Sequence, residues 1–288
     1  MVLPLWKVAS TLACVVSVVL HSPFDLAKPS RTHILPAELQ EISALTDVDE
    51  HTVACVQDEM AMIYLIDLRT GKIVRRIPFG PAGDMEGLTR VGQEYFALRS
   101  DGLMYRLSLL EGVAVVQDSM RLPLPDRDLE GLGFDERRGL VLISPKDFLK
   151  GDAHQRDQRL IHAFDPVTRR LLPEPVLSLS LADITAQAES KGMQVPRRTT
   201  KEGRSVNALK LRFSSVAVDP ITDRYYLLSA VDRTLLVLDR QGALVALEQL
   251  PPKLFPKPEG ITFMPSGQMV ISNEGKDGRP NLLVFERR

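Results

Sequence analysis

Short apolar runs separated by Gly, Asp and Pro tokens recur along this chain from about residue 40 to its end. Runs such as Thr52–Val56, Tyr95–Leu98, Leu140–Ile143, Tyr225–Leu228 and Met269–Ile271 are rich in β-formers and too short for helices, so each predicts a strand. A second apolar run follows each one, at Ile63–Ile66, Met104–Leu107, Leu160–Phe164, Leu235–Leu238 and Leu282–Phe285. Turn tokens such as Arg69-Thr70-Gly71-Lys72 and Arg240-Gln241-Gly242 then lead into a fourth strand, and no amphipathic helix of useful length is predicted between them.

Each unit opens on one short phrase. Three copies carry glutamate: Glu86-Gly87-Leu88-Thr89, Glu130-Gly131-Leu132-Gly133 and Glu259-Gly260-Ile261-Thr262. Two others put serine in its place, at Ser43-Ala44-Leu45-Thr46 and Ser214-Ser215-Val216-Ala217. The anchors at 43, 86, 130, 214 and 259 stand 43, 44, 84 and 45 residues apart. A four-stranded propeller blade takes about 40–45 residues, so the repeat predicts an all-β, five-bladed β-propeller with one long insertion in the third interval. The last unit stops after its third strand at Phe285, while Arg31–Pro36 resembles an orphan fourth strand. Pairing the two would close the ring and remove an exposed sheet edge.

A chain of 288 residues with 44% hydrophobic content can bury its core without staples, and a net charge of −1 argues against a nucleic-acid surface. Of the two cysteines, Cys14 lies in an N-terminal apolar run and Cys55 in a strand, which excludes an intramolecular disulfide and marks Cys55 as a small core residue. Residues 1–28 read as a separate segment before a propeller domain at 29–288. Lys7 precedes the uncharged stretch Val8–Leu20, the length of a signal-peptide core and short for a spanning helix. Against the reading of a buried cytoplasmic segment, a cleaved signal and a retained membrane anchor both remain open, and both predict a bacterial envelope protein, periplasmic or tethered to the inner membrane. The insertion at 183–210 is polar and basic, with Arg197, Arg198, Lys201 and Arg204 close together. It reads as a solvated loop or as a lid or docking surface for an anionic partner.

Equivalent positions of a propeller's inner strands face one axis. Glu86, Glu130 and Glu259 are therefore expected to converge at one end of the channel, with Ser43 and Ser214 completing the ring. Clustered carboxylates must protonate or hold a cation. An all-oxygen donor set suits a hard ion, Ca²⁺ rather than Zn²⁺. At the ends of the second strands, Asn273 and Glu274 are candidate additional ligands and Lys146 a candidate countercharge. The alternative is that Glu-Gly is a strand start whose carboxylate bonds backbone N–H groups of the next blade.

The phrases around Glu41–Thr46, Asp84–Leu88 and Ser100–Gly102, with Pro258–Phe263 and Ile271–Lys276, resemble the SdiA-regulated (YjiK-like) family. The resemblance runs from about residue 38 to the C-terminus. It implies a five-bladed propeller related to NHL-repeat proteins, a bound calcium ion, an N-terminal membrane-directed segment and no established activity. Ala44 in place of a glycine and the long insertion depart from the pattern.

Two functions follow. A calcium-binding module would present the channel mouth to an unknown small molecule or protein, with the membrane as a further partner if the N-terminal segment is retained. The alternative is a calcium-dependent esterase, lactonase or phytase-like hydrolase using a channel metal. No nucleophile–base pair is visible, since His33, His51, His154 and His162 share no equivalent position. Catalytic residues therefore stay unassigned.

Overall fold

The structure, a computed structural model, describes residues 22–125, 128–148, 155–276 and 278–288. The segment 1–21, with the expected signal or anchor, lies outside the described residues, and among those described no helix is long and apolar enough to cross a membrane.

Strand β1 (Arg31–Ile34) precedes the first blade, formed by β2 (Ile42–Asp47), β3 (Thr52–Gln57), β4 (Met60–Asp67) and β5 (Lys72–Pro78). Blade two is β6 (Met85–Val91), β7 (Glu94–Arg99), β8 (Leu103–Leu110) and β9 (Val113–Arg121). Blade three holds β10 (Leu129–Asp135), β11 (Leu140–Pro145) and β12 (Gln158–Asp165), and its outer strand is split into β13 (Arg170–Leu171) and β14 (Leu177–Ser180). The insertion contains helix α1 (Leu181–Ser190) and the hairpin β15 (Arg197–Thr199) and β16 (Ser205–Asn207). Blade four is β17 (Phe213–Val218), β18 (Tyr225–Ser229), β19 (Thr234–Leu238) and β20 (Leu244–Gln249). Blade five comprises β21 (Pro258–Phe263), β22 (Met269–Asn273), β23 (Asn281–Phe285) and, outermost, β1.

The ring closes as the orphan strand predicts. β1 runs antiparallel to β23 with Arg31 opposite Val284 and Ile34 opposite Asn281. Each inner strand packs on the next, β2 on β6, β6 on β10, β10 on β17, β17 on β21 and β21 back on β2. The direct β10–β17 contact shows that the long interval hides no sixth blade.

Apolar residues fill the five inter-blade spaces as five separate clusters. Cys55 is fully buried in the cluster between blades five and one, and that burial pushes its thiol pKa up. The folded body reaches further toward the N-terminus than the expected boundary at residue 28. Phe24 and Leu26 are buried between blades four and five, with Phe24 edge-on to Tyr226 at 6.3 Å.

The insertion corrects the expectation of a helix-free chain. Ser180 caps α1 by accepting a hydrogen bond from the Asp183 N–H. Ile184 and Ala188, one turn apart, then bury against blades three and four. The polar sequence around these two residues masks a period that is only two contacts long. Gln187 accepts from the Leu244 N–H, so the helix lies along the outer strand β20.

Closure by β1 is testable by truncation. Removing residues 1–38 strips β1 and the fully buried Leu35, whereas removing 1–28 leaves both. Loss of one such side chain alone is worth about 2–5 kcal/mol, or roughly 5–15 °C at this chain length. Differential scanning calorimetry should show the shorter chain melting lower by at least that margin. Equal melting would rule out a stabilising role for the closure.

Candidate functional site

Every inner strand carries a bulge at the same place. The register shifts between Ile42 and Ala44, Met85 and Gly87, Leu129 and Gly131, Phe213 and Ser215, and Pro258 and Gly260. The skipped residues are Ser43, Glu86, Glu130, Ser214 and Glu259, the five anchors of the repeat. A bulge frees one residue from the ladder and re-aims its side chain. The glycine after each glutamate answers a separate need, close approach between inner strands. A Cβ on Gly131 would stand 2.6 Å from Ser144 Oγ and 3.0 Å from Ser215 Cα, and one on Gly87 would meet Leu132 Cγ at 2.8 Å.

The anchors divide by type. Ser43 Oγ donates to the Met85 carbonyl at 2.5 Å, and Ser214 Oγ donates to the Pro258 carbonyl at 3.1 Å. Each serine thus fixes the peptide just before the glutamate of the following blade. The two hydroxyls are blade-to-blade ties and do not complete the ring as donors to the axis.

The glutamates are brought within electrostatic reach of one another at one mouth of the channel. Burial, then Glu130 and Asp84, pushes the Glu86 carboxyl up to about 9, and Glu259 contributes further. Burial raises Glu130 as well, against the pull of Lys146. Glu259 is pushed up to about 7 by burial, Lys257 opposing and Glu130 adding to the rise. Two lysines enter the cluster. Lys146 pairs with Glu130, and Lys257 pairs with Glu259 at 3.1 Å and with Glu274. Glu86 makes no ion pair among the described residues. Asn273 turns elsewhere: its amide nitrogen donates to Leu254 and Asn281, leaving a buried Oδ1 without a partner.

A second ring surrounds the first, and the repeat could have revealed it. Two residues before each anchor stand Glu41, Asp84, Asp128, Arg212 and Lys257, every one charged. Backbone bonds join this position to the end of the second strand, from Asp58 N to Glu41 O, Ser100 N to Asp84 O, Lys146 N to Asp128 O and Glu274 N to Lys257 O. Asp58 is pushed up to about 7 by burial, with Glu41, Asp84 and Glu274 adding repulsion. Among the described residues no three His, Cys, Asp or Glu side chains stand close enough together to hold a metal ion as they are placed, the expected set of Glu86, Glu130 and Glu259 included.

Two measurements follow from this geometry. Glu86 binds its proton more tightly folded than unfolded, so between about pH 4.5 and about pH 9 the native state holds the extra proton. In metal-free buffer, stability should therefore fall as pH rises through that window, and Glu86→Gln should flatten the decline in chemical-denaturation series. A variant as pH-dependent as the wild type would reject the assignment. Gly131→Ala forces its Cβ into the neighbouring strand and should cost about 1–3 kcal/mol by the same measurement.

No protein-family profile and no curated protein sequence matches the chain. Among solved structures, a glutaminyl cyclase from Myxococcus xanthus superposes with a TM-score of 0.58 at 13% identity, covering 90% of this chain and 95% of that one. A mitotic checkpoint complex chain aligns with a TM-score of 0.45 at 10% identity, over 86% of this chain and 64% of its own length. The first likeness is one of fold, and with the sheet order and the ring of inner strands it establishes an all-β, five-bladed β-propeller.

Proposed function

We propose that the acidic mouth is a divalent-cation site, with Ca²⁺ its ion, in an envelope-located binding propeller. One observation carries the reading. Four carboxyl groups, Glu86, Glu130, Glu259 and Glu274, face two ammonium groups, Lys146 and Lys257, so that once an arriving cation displaces the Glu86 proton the group carries the charge that one divalent ion would neutralise. The donor set is all oxygen and suits a hard cation. Glu86 is the entry point, because its carboxyl has no ion-pair partner among the described residues and holds a proton that a cation can displace. Lys146 and Lys257 act as resident countercharges; their side chains are 40% and 39% exposed and free to swing into solvent as an ion enters. A bound ion would supply crosslinking between blades two, three and five, stabilising the folded ring in proportion to its occupancy. The surrounding loops would then present a small molecule or protein with a rigid rim. The uncharged stretch after Lys7 supports the envelope location.

Calorimetric titration with CaCl₂ tests this. Wild-type protein should bind one ion, and Glu86→Gln, Glu130→Gln and Glu259→Gln should each weaken binding at least tenfold. Lys146→Met should tighten it, since it removes a competitor for Glu130. Absence of any saturable binding at millimolar calcium would defeat the proposal. For the location, alkaline phosphatase fused after Arg288 should be active, and a fusion active only as a cytoplasmic reporter would place the chain inside the cell.

A second reading is favoured by Glu86 alone. A carboxyl held protonated near neutral pH beside a lysine–glutamate pair is a general acid next to its base. Such a pair could serve hydrolysis of esters, lactones or phosphoesters. The likeness of fold to a glutaminyl cyclase adds glutaminyl compounds to the substrates for a screen with and without chelator.

A further inference from the structure

The opposite end of the channel is a different kind of space. A funnel of about 630 Å³ opens there, lined by the C-terminal halves of the inner strands. None of the five anchor residues lines it. Leu45, Leu132, Val216 and Ile261, each two residues past its anchor, contribute apolar wall between the funnel and the acidic mouth. The next residue along each strand is small: Thr46, Thr89, Gly133, Ala217 and Thr262. Small side chains at these positions let neighbouring inner strands lie close: Thr46 accepts from the Arg90 N–H of the next blade, and Ala217 packs between blades four and five. Gly133 is constrained to its size, since a Cβ would approach the Val216 carbonyl oxygen at 2.3 Å.

The charges on the funnel wall are already matched. Arg90 bonds Asp47 at 3.0 Å, and its Nε and Nη1 donate to the carbonyls of Asp47 and Gly92. Arg240 stacks over Tyr225 at 4.7 Å and pairs with the fully buried Asp135 and with Asp223. Arg137 reaches Asp223 at 3.0 Å, and Asp219 is held by Arg287 at 2.5 Å. Every arginine of the lining is thus spent on a carboxylate, and each of the Arg90, Arg240 and Arg287 pairs joins one blade to its neighbour. An anionic ligand would find no free cation here and would face Glu136, a lining carboxylate without an ion pair among the described residues. In contrast, the hydroxyls of Thr89 and Thr262 make no hydrogen bond among the described residues. They offer donors beside the almost fully buried side chains of Leu45, Ile261 and Phe263, in a lining that presents mainly polar surface.

We propose that this funnel is a second ligand site, for an uncharged, polar organic molecule of drug-like size that presents carbonyl or ether oxygens to Thr89 and Thr262. The volume falls inside the range of about 300–1,000 Å³ that such ligands occupy. Matched wall charges exclude phosphates and carboxylates by the cost of burying an unpaired anion. The site is independent of the cation mouth and stands whether or not that mouth binds calcium.

The test is a fluorescence titration of the purified protein with 7-methoxycoumarin, a neutral probe that carries carbonyl and ether oxygens. Saturable one-to-one binding is expected, weakened at least tenfold by Thr262→Phe, which fills the funnel, and by Thr89→Phe. Glu86→Gln and added chelator should leave it unchanged. Hydrogen–deuterium exchange needs no variant: the bound probe should protect amides at Thr46–Asp47, Thr89–Arg90 and Thr262–Phe263. No saturable binding, equal affinity in folded variants of both threonines, or protection confined to other segments would each overturn the proposal.

Discussion

A ring of inner strands has one axis, and whatever the repeat places at its bulged position must share that axis. Three glutamates there repel one another inside a partly dehydrated mouth, and the rest of the site answers that repulsion. Lys146 and Lys257 enter from the flanking loops to neutralise two of them, and Glu86, left without a cation, keeps its proton to about pH 9. The serines, where no charge needs balancing, are turned to a different task. They lock the strands that carry Glu86 and Glu259 to the blades before them.

The two ends of the channel solve opposite problems with the same strand. At the N-terminal end of each inner strand, unbalanced charge creates a demand for a cation. At the C-terminal end, arginine–aspartate pairs bridge blades one to two, three to four and four to five, and the wall they build is electrically quiet. Between the two, apolar side chains and glycines let neighbouring backbones approach within van der Waals contact. Stability therefore comes from the inter-blade clusters and from these arginine–aspartate pairs.

The spacing of the anchors and the orphan strand at Arg31–Pro36 were sufficient to read the blade count and the closure. Both depend on strand period and chain length, which local sequence encodes directly. Helix α1 was not legible, because its apolar contacts, Ile184 and Ala188, span a single turn inside a polar stretch and gain meaning only against blades three and four. The charged position two residues before each anchor was legible but overlooked, and with it Lys257.

Residue type at repeated positions, then, is what the sequence determined: five blades, and a glutamate at the equivalent position of three of them. Which of those groups would be charged, paired or spent was decided by the tertiary structure alone. Asn273 sits at a ligand-like position yet bonds Asn281 and Leu254, and Ser43 and Ser214 occupy the glutamate slot yet bond the backbone. The reason is physical. A side chain's partners at an inter-blade junction come from strands some forty residues away, and their distance and burial exist only once the ring has closed.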